Sequence, residues 1–450
     1  MFSAVARIFR TPDLRKKILF TLFIVALFRL GSFIPAPFVD FKVVQSCLDT
    51  AQDSSGGAAG LYSLINLFSG GALLQLSIFA LGIMPYITAS IIVQLLRVVI
   101  PHFETLYKEG QSGQARLTQY TRYLTIALGV LQSTTLITVA RSGQLIDCPQ
   151  DLLALPEASG DGAAFATAMA VLLMVITMTA GTGLIMWMGE LITERGVGNG
   201  MSLLIFTSIA ATFPASLIQI AQVQGPEILA IVVAIGVAIM AAVIFVEQSQ
   251  RRIPVQYAKR MVGRRTYGGN NTYIPIKVNM AGVVPVIFAS SLLYLPSLVA
   301  QFNTSSDNTV PNPGWVDWVL NNLTNGGHPL YMALYFLLIV GFTYFYVAIT
   351  FNPEEVADNM KKYGGFIPGI RAGRPTAEYL DYVLTRVTLP GSLYLGLVAL
   401  IPLIALVAIN ANQNFPFGGT SILIMVGVGL ETVKQIDSQL QQRHYEGLLR

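Results

Sequence analysis

Side chains that could do catalytic chemistry are few in this sequence, and they are scattered. The three histidines, His102, His328 and His444, lie outside the centres of the long apolar segments, which argues against a serine–histidine protease within a membrane. The chain has no HExxH motif, no Cys/His cluster at metal-ligand spacing and no GxxxxGKS/T phosphate loop. The sequence therefore predicts no catalytic residue, no metal and no cofactor. Any energy for its function must come from a partner.

Ionisable side chains within the apolar segments are also rare. A secondary transporter for a small solute, the main alternative function, usually carries ionisable groups near the middle of the membrane. Arg29 in the first apolar segment and Glu431 near the end of the last are the main exceptions. We interpret Arg29 as a side chain that reaches the membrane surface or binds nearby carbonyls. An intramembrane enzyme, a third hypothesis, lacks a nucleophile and base that could pair.

The composition indicates which elements must position these side chains. Only 12% of the 450 residues are charged and 53% are hydrophobic, whereas about 25% of residues are charged in soluble domains. This excludes a soluble, disordered or fibrous protein, and β-barrel alternation is absent. We predict an all-α polytopic membrane protein, because ten apolar windows are each long enough to cross a bilayer. They are residues 18–36, 72–99, 123–140, 163–188, 199–222, 227–246, 279–301, 330–351, 387–409 and 419–436.

The placement of basic residues predicts the orientation. Apart from Arg29, Lys42 and Arg141, every Lys and Arg lies at the N-terminus, in a loop after an even-numbered span or at the C-terminus. Cytoplasmic loops carry the excess of basic residues, so both termini are expected in the cytoplasm. The basic N-terminal stretch MFSAVARIFRTPDLRKK leads into the first apolar run without a cleavage site. We interpret this run as a retained first span.

Ten spans divide into two halves of five, residues 1–224 and 225–450. An odd number per half makes the second half enter the membrane from the opposite face, as in an inverted repeat. Residues 82–90 (GIMPYITAS) match residues 282–290 (GVVPVIFAS) at five of nine positions. The two segments occupy corresponding places in the halves, although a chance match in a chain rich in Gly, Ala and Ile is the alternative.

Two local features depart from a simple row of spans. The apolar stretch Leu61–Phe68 is too short to cross a bilayer, and it lies between polar residues 50–60 and Ser69-Gly70-Gly71. It is either a re-entrant segment inside the protein or a turn at the outer surface. Pro85 and Pro285 lie within spans 2 and 7, where they either permit a kink or are ordinary transmembrane prolines.

Two long basic loops remain. The first loop, residues 247–277, has seven basic residues interleaved with tyrosines. It suits either a tether on anionic lipid or a contact with nucleic acid. The second loop, residues 352–386, contains Gly-Gly, Pro-Gly and Arg-Pro elements that indicate a shaped tip, which usually meets a soluble partner.

Motifs along nearly the whole chain resemble the SecY family, the channel subunits of the bacterial protein translocase. They are LFSGGALLQLSIFALGIMPYITASIIVQLL (67–96), EGQSGQARLTQYTRY (109–123), MWMGELITERGVGNGMSLLIF (186–206), QRRIPVQYAKRMVGRR (250–265), PIKVNMAGVVPVIFASS (275–291), FNPEEVADNMKKYGGFIPGIRAG (351–373) and FGGTSILI (417–424). The resemblance implies two five-helix halves around a central pore in the bacterial cytoplasmic membrane. It implies a passive channel that passes unfolded secretory polypeptides and releases apolar segments sideways into lipid.

The resemblance also implies a role for particular residues. A ring of apolar side chains seals the pore, and it corresponds to Ile83, Ile87, Ile205, Ile287 and Ile424. A plug at about residues 60–71 fills the outer funnel, with Leu61, Leu64, Ile65, Leu67, Phe68, Gly70 and Gly71. Spans 2 and 7 form the lateral gate, whose polar positions are Thr88, Gln94 and Asn279.

Partners follow from the same resemblance. The first loop contacts the ribosome or the motor ATPase SecA through Arg251, Arg252, Lys259, Arg260, Arg264 and Arg265. Arg371 of the second loop couples the motor, although Ala372 replaces the usual proline and predicts a less rigid backbone. SecE and SecG are the expected small partner subunits, and secretory or membrane polypeptides and the lipid bilayer complete the set. Cys47 and Cys148 both fall in outer loops, where a disulfide between them is one expectation.

Overall fold

The computed structural model describes residues 11–40, 42–44, 71–73, 75–141, 153, 163–257, 260–262, 265–267, 272–302, 313–324, 328–409 and 419–446. Most of these residues are helical, which confirms the predicted all-α class. The helices are α1 Pro12–Ser32, α2 Met84–Val99, α3 Pro101–Lys108, α4 Gln111–Arg141, α5 Ala163–Arg195, α6 Gly200–Gln224, α7 Pro226–Gln248, α8 Val284–Phe302, α9 Gly314–Val319, α10 Pro329–Thr350, α11 Pro353–Lys362, α12 Arg374–Ile409 and α13 Gly419–Glu446.

Each of the ten predicted spans corresponds to one long helix, in the order α1, α2, α4 to α8, α10, α12 and α13. Five of the described helices are long and apolar enough to cross a membrane by themselves. A sixth is counted if α2 and α3, which meet at an angle of 100°, form one broken span. The apolar helical parts of α6 and α8 are shorter and cover Gly200–Pro214 and Val284–Leu293.

The starts of spans 2 and 7 differ from the prediction. Helix α2 begins at Met84, and the described residues 71–73 and 75–83 before it form irregular turns. Helix α8 begins at Val284. Pro85 and Pro285 are therefore the second residues of their helices and not interior residues. A proline is tolerated in a first turn because its missing N–H would have no intrahelical partner there, so neither proline needs a kink.

The same backbone turn precedes both helices, 200 residues apart. Gly82 and Gly282 both adopt a positive φ, of 55° and 61°. The carbonyl of the next residue then accepts the first helical hydrogen bonds, with Ile83 bonded to the Ile87 N–H at 3.1 Å and Val283 bonded to the Ile287 N–H at 3.3 Å. The weak sequence match at residues 82–90 and 282–290 is thus accompanied by a match in local structure.

The first loop contains a β-hairpin. Strand β1 Gln250–Tyr257 pairs antiparallel with β4 Thr272–Lys277, and the short strands β2 Arg260–Val262 and β3 Arg265–Tyr267 pair with each other. Strand β5 Gly365–Phe366 of the second loop joins the other edge of β1. The two loops therefore form one unit with the strand order β4-β1-β5.

Two of the buried apolar clusters lie mainly within one predicted half of the chain each, whereas a third draws residues from both halves. One buried cluster lies in the first half and includes Leu76, Ile137 and Met174. Another lies mainly in the second half, around Ile339 and Leu395. Helix α6 ends at Gln224 and α7 begins at Pro226, so the predicted boundary between the halves falls at the break between these helices.

Candidate functional site

Five isoleucines that lie far apart in the sequence meet in one apolar cluster, which we call the isoleucine cluster. Four of them are almost fully buried: the exposed fractions are 3% for Ile83, 5% for Ile205, 8% for Ile287 and 1% for Ile424. Ile87 is partly buried and packs against the same cluster. These are the five residues predicted for the pore ring, and the structure brings all of them together.

The residues at which α2 and α8 begin determine where the isoleucines of these helices point. Ile83 is the N-cap residue of α2, and Ile87 follows one helical turn later on the same face. Ile287 has the corresponding place at the start of α8, whereas Ile205 and Ile424 come from α6 and α13. Two helices from each half of the chain therefore supply the five isoleucines.

Sequence reasoning missed several members of this apolar cluster. Ile185 and Met188 of α5 and Ile24 and Phe28 of α1 are buried in it as well. No periodic pattern singles these residues out, because both helices are apolar on most of their faces. Only the packing of α1 and α5 against the cluster identifies them.

The chemistry of the cluster is that of a closed apolar constriction. All of its buried members are aliphatic, methionine or phenylalanine side chains. Such a constriction excludes water and ions when it is empty, and flexible side chains can close around a passing chain. The described residues contain no group of three or more His, Cys, Asp or Glu side chains able to hold a metal ion.

The predicted plug is described only at its C-terminal end. Gly71 is a described residue, and the next residue, Ala72, is fully buried in the same apolar cluster as the isoleucines. The other predicted plug residues lie outside the described residues; they are Leu61, Leu64, Ile65, Leu67, Phe68 and Gly70. Cys47 and Cys148 also lie outside them.

The three polar residues predicted for the lateral gate make no hydrogen bonds to one another. Helix α2 does lie against α8. However, the Thr88 hydroxyl donates to the Met84 carbonyl at 2.9 Å, and the Gln94 amide donates to the Ser90 hydroxyl at 3.4 Å, so both bonds stay within α2.

Asn279 lies outside α8, in the turn before it. Its amide donates to Glu247 of α7 and to the Gly282 carbonyl. The assignment of Asn279, with Thr88 and Gln94, to the polar positions of a lateral gate stays a prediction.

The predicted partner-binding arginines lie on the β-sheet unit and the adjoining turn. Arg251 and Arg252 are exposed on β1, and the Arg252 guanidinium lies over the Tyr273 ring, 4.9 Å from its centroid. Arg371 of the second loop is also exposed, and its carbonyl accepts a hydrogen bond from the Thr376 hydroxyl at 2.8 Å. This bond fixes the backbone next to Ala372, where the sequence predicted a less rigid loop.

The remaining arginines and lysine of the first loop are only partly placed. Arg260 begins β2 and Arg265 begins β3, whereas Lys259 and Arg264 lie outside the described residues. Below the sheet, Ile253, Val255 and Ile276 pack with Ile367 and Leu380 of the second loop and α12. The alternation of polar and apolar residues in QRRIPVQY could have predicted β1, because strand side chains alternate between the two faces.

Comparison with known proteins gives one consistent result. The SecY family model matches residues 77–433. Proteins named protein translocase subunit SecY from Streptomyces scabiei and Streptomyces galbus are 63% and 64% identical, each with 100% of both chains covered. The protein of the same name from Mycobacterium tuberculosis is 57% identical over the same full coverage.

Solved structures share the fold. A structure of a protein-conducting channel superposes with a TM-score of 0.61 at 19% identity, covering 93% of this chain and 91% of that one. Sec61 from a canine ribosome–channel complex of the endoplasmic reticulum gives a TM-score of 0.58 at 17% identity, with the same coverage. Both likenesses extend over the helices of the two halves.

Proposed function

The chain belongs to the SecY family, and from this premise we propose that it is a passive protein-conducting channel. It passes unfolded secretory polypeptides across the bacterial cytoplasmic membrane and releases apolar segments sideways into the lipid. The relatives that carry the name protein translocase subunit match the chain along its whole length. The chain itself performs no covalent chemistry in this proposal.

One observation carries the proposal, namely that the isoleucine cluster is built by both halves. Ile83 and Ile205 come from the first half, and Ile287 and Ile424 come from the second. A polypeptide that separates these side chains passes between the halves, and the side chains close behind it. Because they are apolar and flexible, they seal around chains of any sequence without binding them strongly.

Lateral release is supported by the contact between α2 and α8. These helices come from opposite halves, and both contribute isoleucines to the cluster. A seam between them leads from the cluster to the lipid when the halves move apart. Among the described residues no hydrogen bond joins Thr88 or Gln94 to α8, so a seam held by apolar packing can open at modest cost.

The driving force is assigned to partners on the basic surface. The exposed Arg251, Arg252 and Arg371 lie on the unit formed by the two loops, and this surface suits the acidic or phosphate-rich face of a motor ATPase or a ribosome. The related canine Sec61 was captured in a ribosome–channel complex. We assign SecA and the ribosome to this surface, and SecE and SecG as small subunits that hold the halves together. We also propose that both termini lie in the cytoplasm.

Crosslinking to a secretory polypeptide stalled midway tests the channel. A photoreactive residue is placed in turn at Ile83, Ile205, Ile287 and Ile424, and we expect each to react with the stalled chain. Leu337 of α10, of which 67% is exposed, is the control, because it faces the lipid in this proposal. Labelling at Leu337 with no labelling at the four isoleucines would exclude a path through the cluster.

A further inference from the structure

A part-buried side-chain bond closes the base of the β-hairpin, next to the helix that forms one side of the seam. In the ladder, Gln250 faces Lys277, and the Val278 N–H then donates to the Ser249 carbonyl at 3.0 Å. One step further, the Asn279 amide donates to the Glu247 carboxylate at 2.5 Å. The Glu247–Asn279 bond therefore extends the pairing of the hairpin to the end of α7 and to the turn that precedes α8.

The geometry of Asn279 is that of a positioning residue. Only 3% of its surface is exposed, and its amide also donates to the Gly282 carbonyl at 3.1 Å. Gly282 is the residue whose positive φ turns the chain into α8. One side chain thus joins the end of α7 to the turn that starts α8.

The surroundings of Glu247 bring several elements together. Lys277 at the end of β4 and Lys434 of α13 both act on its carboxylate electrostatically, and its charge acts on the Tyr394 hydroxyl of α12. The side-chain oxygen of Asn279 (Oδ1) and the Tyr394 hydroxyl are buried without a hydrogen-bond partner. A buried polar cluster with unused hydrogen-bonding capacity is costly to maintain by packing alone, which favours a functional role.

Without the Glu247–Asn279 bond, few contacts would hold the segment that links the hairpin to α8. Residues 278–283 are neither helix nor strand. Their fixed points are the Val278–Ser249 bond, the two bonds of the Asn279 amide and the burial of Ala281 under the sheet. Removing Glu247 frees the α7 side of this joint, while the hairpin keeps all of its ladder bonds.

We propose that Glu247 is a positioning residue that couples the partner-docking hairpin to the gate helix α8 by holding the Asn279 amide. A partner that pulls or tilts the hairpin then moves the first turn of α8, and with it Ile287 of the isoleucine cluster. This inference rests on the proposed channel function, and it assigns to Glu247 the step between partner docking and gate opening.

The test uses the full complex in vesicles, with the motor ATPase and a secretory polypeptide. Glu247→Ala should lower motor-driven transport by about tenfold, since a charge-assisted hydrogen bond is lost. Glu247→Gln should retain most of the transport, because the glutamine oxygen still accepts from Asn279. Affinity of the motor for the vesicles should be unchanged in both variants. Glu227→Ala, which removes an exposed glutamate at the other end of α7, is the matched control.

Amide hydrogen exchange at residues 278–287 provides a readout that does not depend on transport. It should be faster in Glu247→Ala and unchanged in Glu247→Gln. If Glu247→Ala does not assemble, Asn279→Ser replaces it, with the same loss of coupling expected.

Three results would overturn the inference: Glu247→Gln as defective as Glu247→Ala, full transport by both Glu247→Ala and Asn279→Ser, or a loss of motor binding that accounts for the loss of transport. Absence of transport by the unaltered complex would count against the proposed function itself.

Discussion

The turn before α2 and the turn before α8 have the same backbone form, but different neighbours hold them. Each contains a glycine with positive φ, and each leads into a helix with proline at its second position. In each turn, the residue four positions before the positive-φ glycine contacts a glycine of another helix. Gly181 of α5 lies against the Ile78 carbonyl, and Gly391 of α12 lies against the Val278 carbonyl.

The neighbours on the other side of the two turns differ in polarity. Before α2, Leu76 and Ile78 pair with the backbone of residues 34–36, through bonds of 3.0 Å from Ala36 to Leu76 and from Ile78 to Ile34. Leu76 is fully buried among apolar side chains. Before α8, the chain comes from the β-hairpin, and a polar bond between Asn279 and Glu247 holds it.

This difference indicates how one turn can serve two purposes in an inverted repeat. With the predicted orientation, the turn before α2 lies towards the outer face and the turn before α8 towards the cytoplasm. The outer turn is fixed by backbone hydrogen bonds to residues 34–36 and by apolar packing, as suits the static side of a seam. The cytoplasmic turn is fixed to a hairpin that partners can move. We therefore expect α8 to be the gate helix that responds to a partner.

The largest effect is expected from adding a methyl group at the two close glycines. In Gly181→Ala and Gly391→Ala the new Cβ would overlap a backbone carbonyl oxygen, which cannot rotate away. Each substitution should lower stability by about 1–3 kcal/mol, the usual cost of overpacking. The measurement is the Tm of the purified complex.

Gly183→Ala on α5 and Gly341→Ala on α10 are the controls, because nothing lies within 4 Å of their added Cβ atoms. Both controls should leave the Tm nearly unchanged. If Gly181→Ala were harmful and Gly391→Ala harmless, the two turns would not be equivalent in packing.

A smaller effect is expected at the glycines of the turns themselves. Gly82→Ala and Gly282→Ala place an L side chain at positive φ, which costs about 1–2 kcal/mol. At Gly282 the space for a Cβ is open, so the cost there is conformational only. Asn tolerates this backbone region better, and Gly282→Asn should therefore be milder than Gly282→Ala when the Tm values are compared. Equal Tm values for the two variants would point to a steric cause instead.

The sequence predicted the features of the fold that depend on composition. It did not predict those that depend on tertiary contacts. Hydropathy and the distribution of Lys and Arg were sufficient for the ten helices, because membrane insertion imposes both patterns. The match at residues 82–90 and 282–290 is accompanied by the same backbone turn in both segments, whereas the inverted repeat itself stays a prediction. However, the irregular turns before Met84 are as apolar as a helix, so hydropathy could not exclude them from span 2.

The residues of the candidate site also fall into those that the sequence predicted and those that only tertiary contacts identify. The five isoleucines were predicted from the family resemblance, and the structure brings them together because both halves pack there. The hydrogen-bond partners of Asn279 were not predicted, since the motif shows only that a polar residue precedes the α8 helix. Its partner, Glu247, lies 32 residues earlier in the sequence, and only the pairing of the hairpin brings the two together.

The smallest effect is expected at Thr88, the buried polar residue on the α2 side of the seam. Its hydroxyl donates to the Met84 carbonyl of its own helix, so Thr88→Val removes no bond to α8. Even a side-chain hydrogen bond between two helices in a membrane contributes only about 0.6 kcal/mol on average. The Thr88 bond stays within α2, so the Tm should fall by little. The balance between open and closed seam, followed by crosslinking between cysteines placed on α2 and α8, should stay the same.

Asn279→Ala provides the contrast, because the bond that it removes joins two elements, and it should shift that balance. If Thr88→Val shifted the balance as strongly as Asn279→Ala, polar contacts would hold the static side of the seam too, and the distinction between an apolar outer turn and a polar cytoplasmic turn would be wrong.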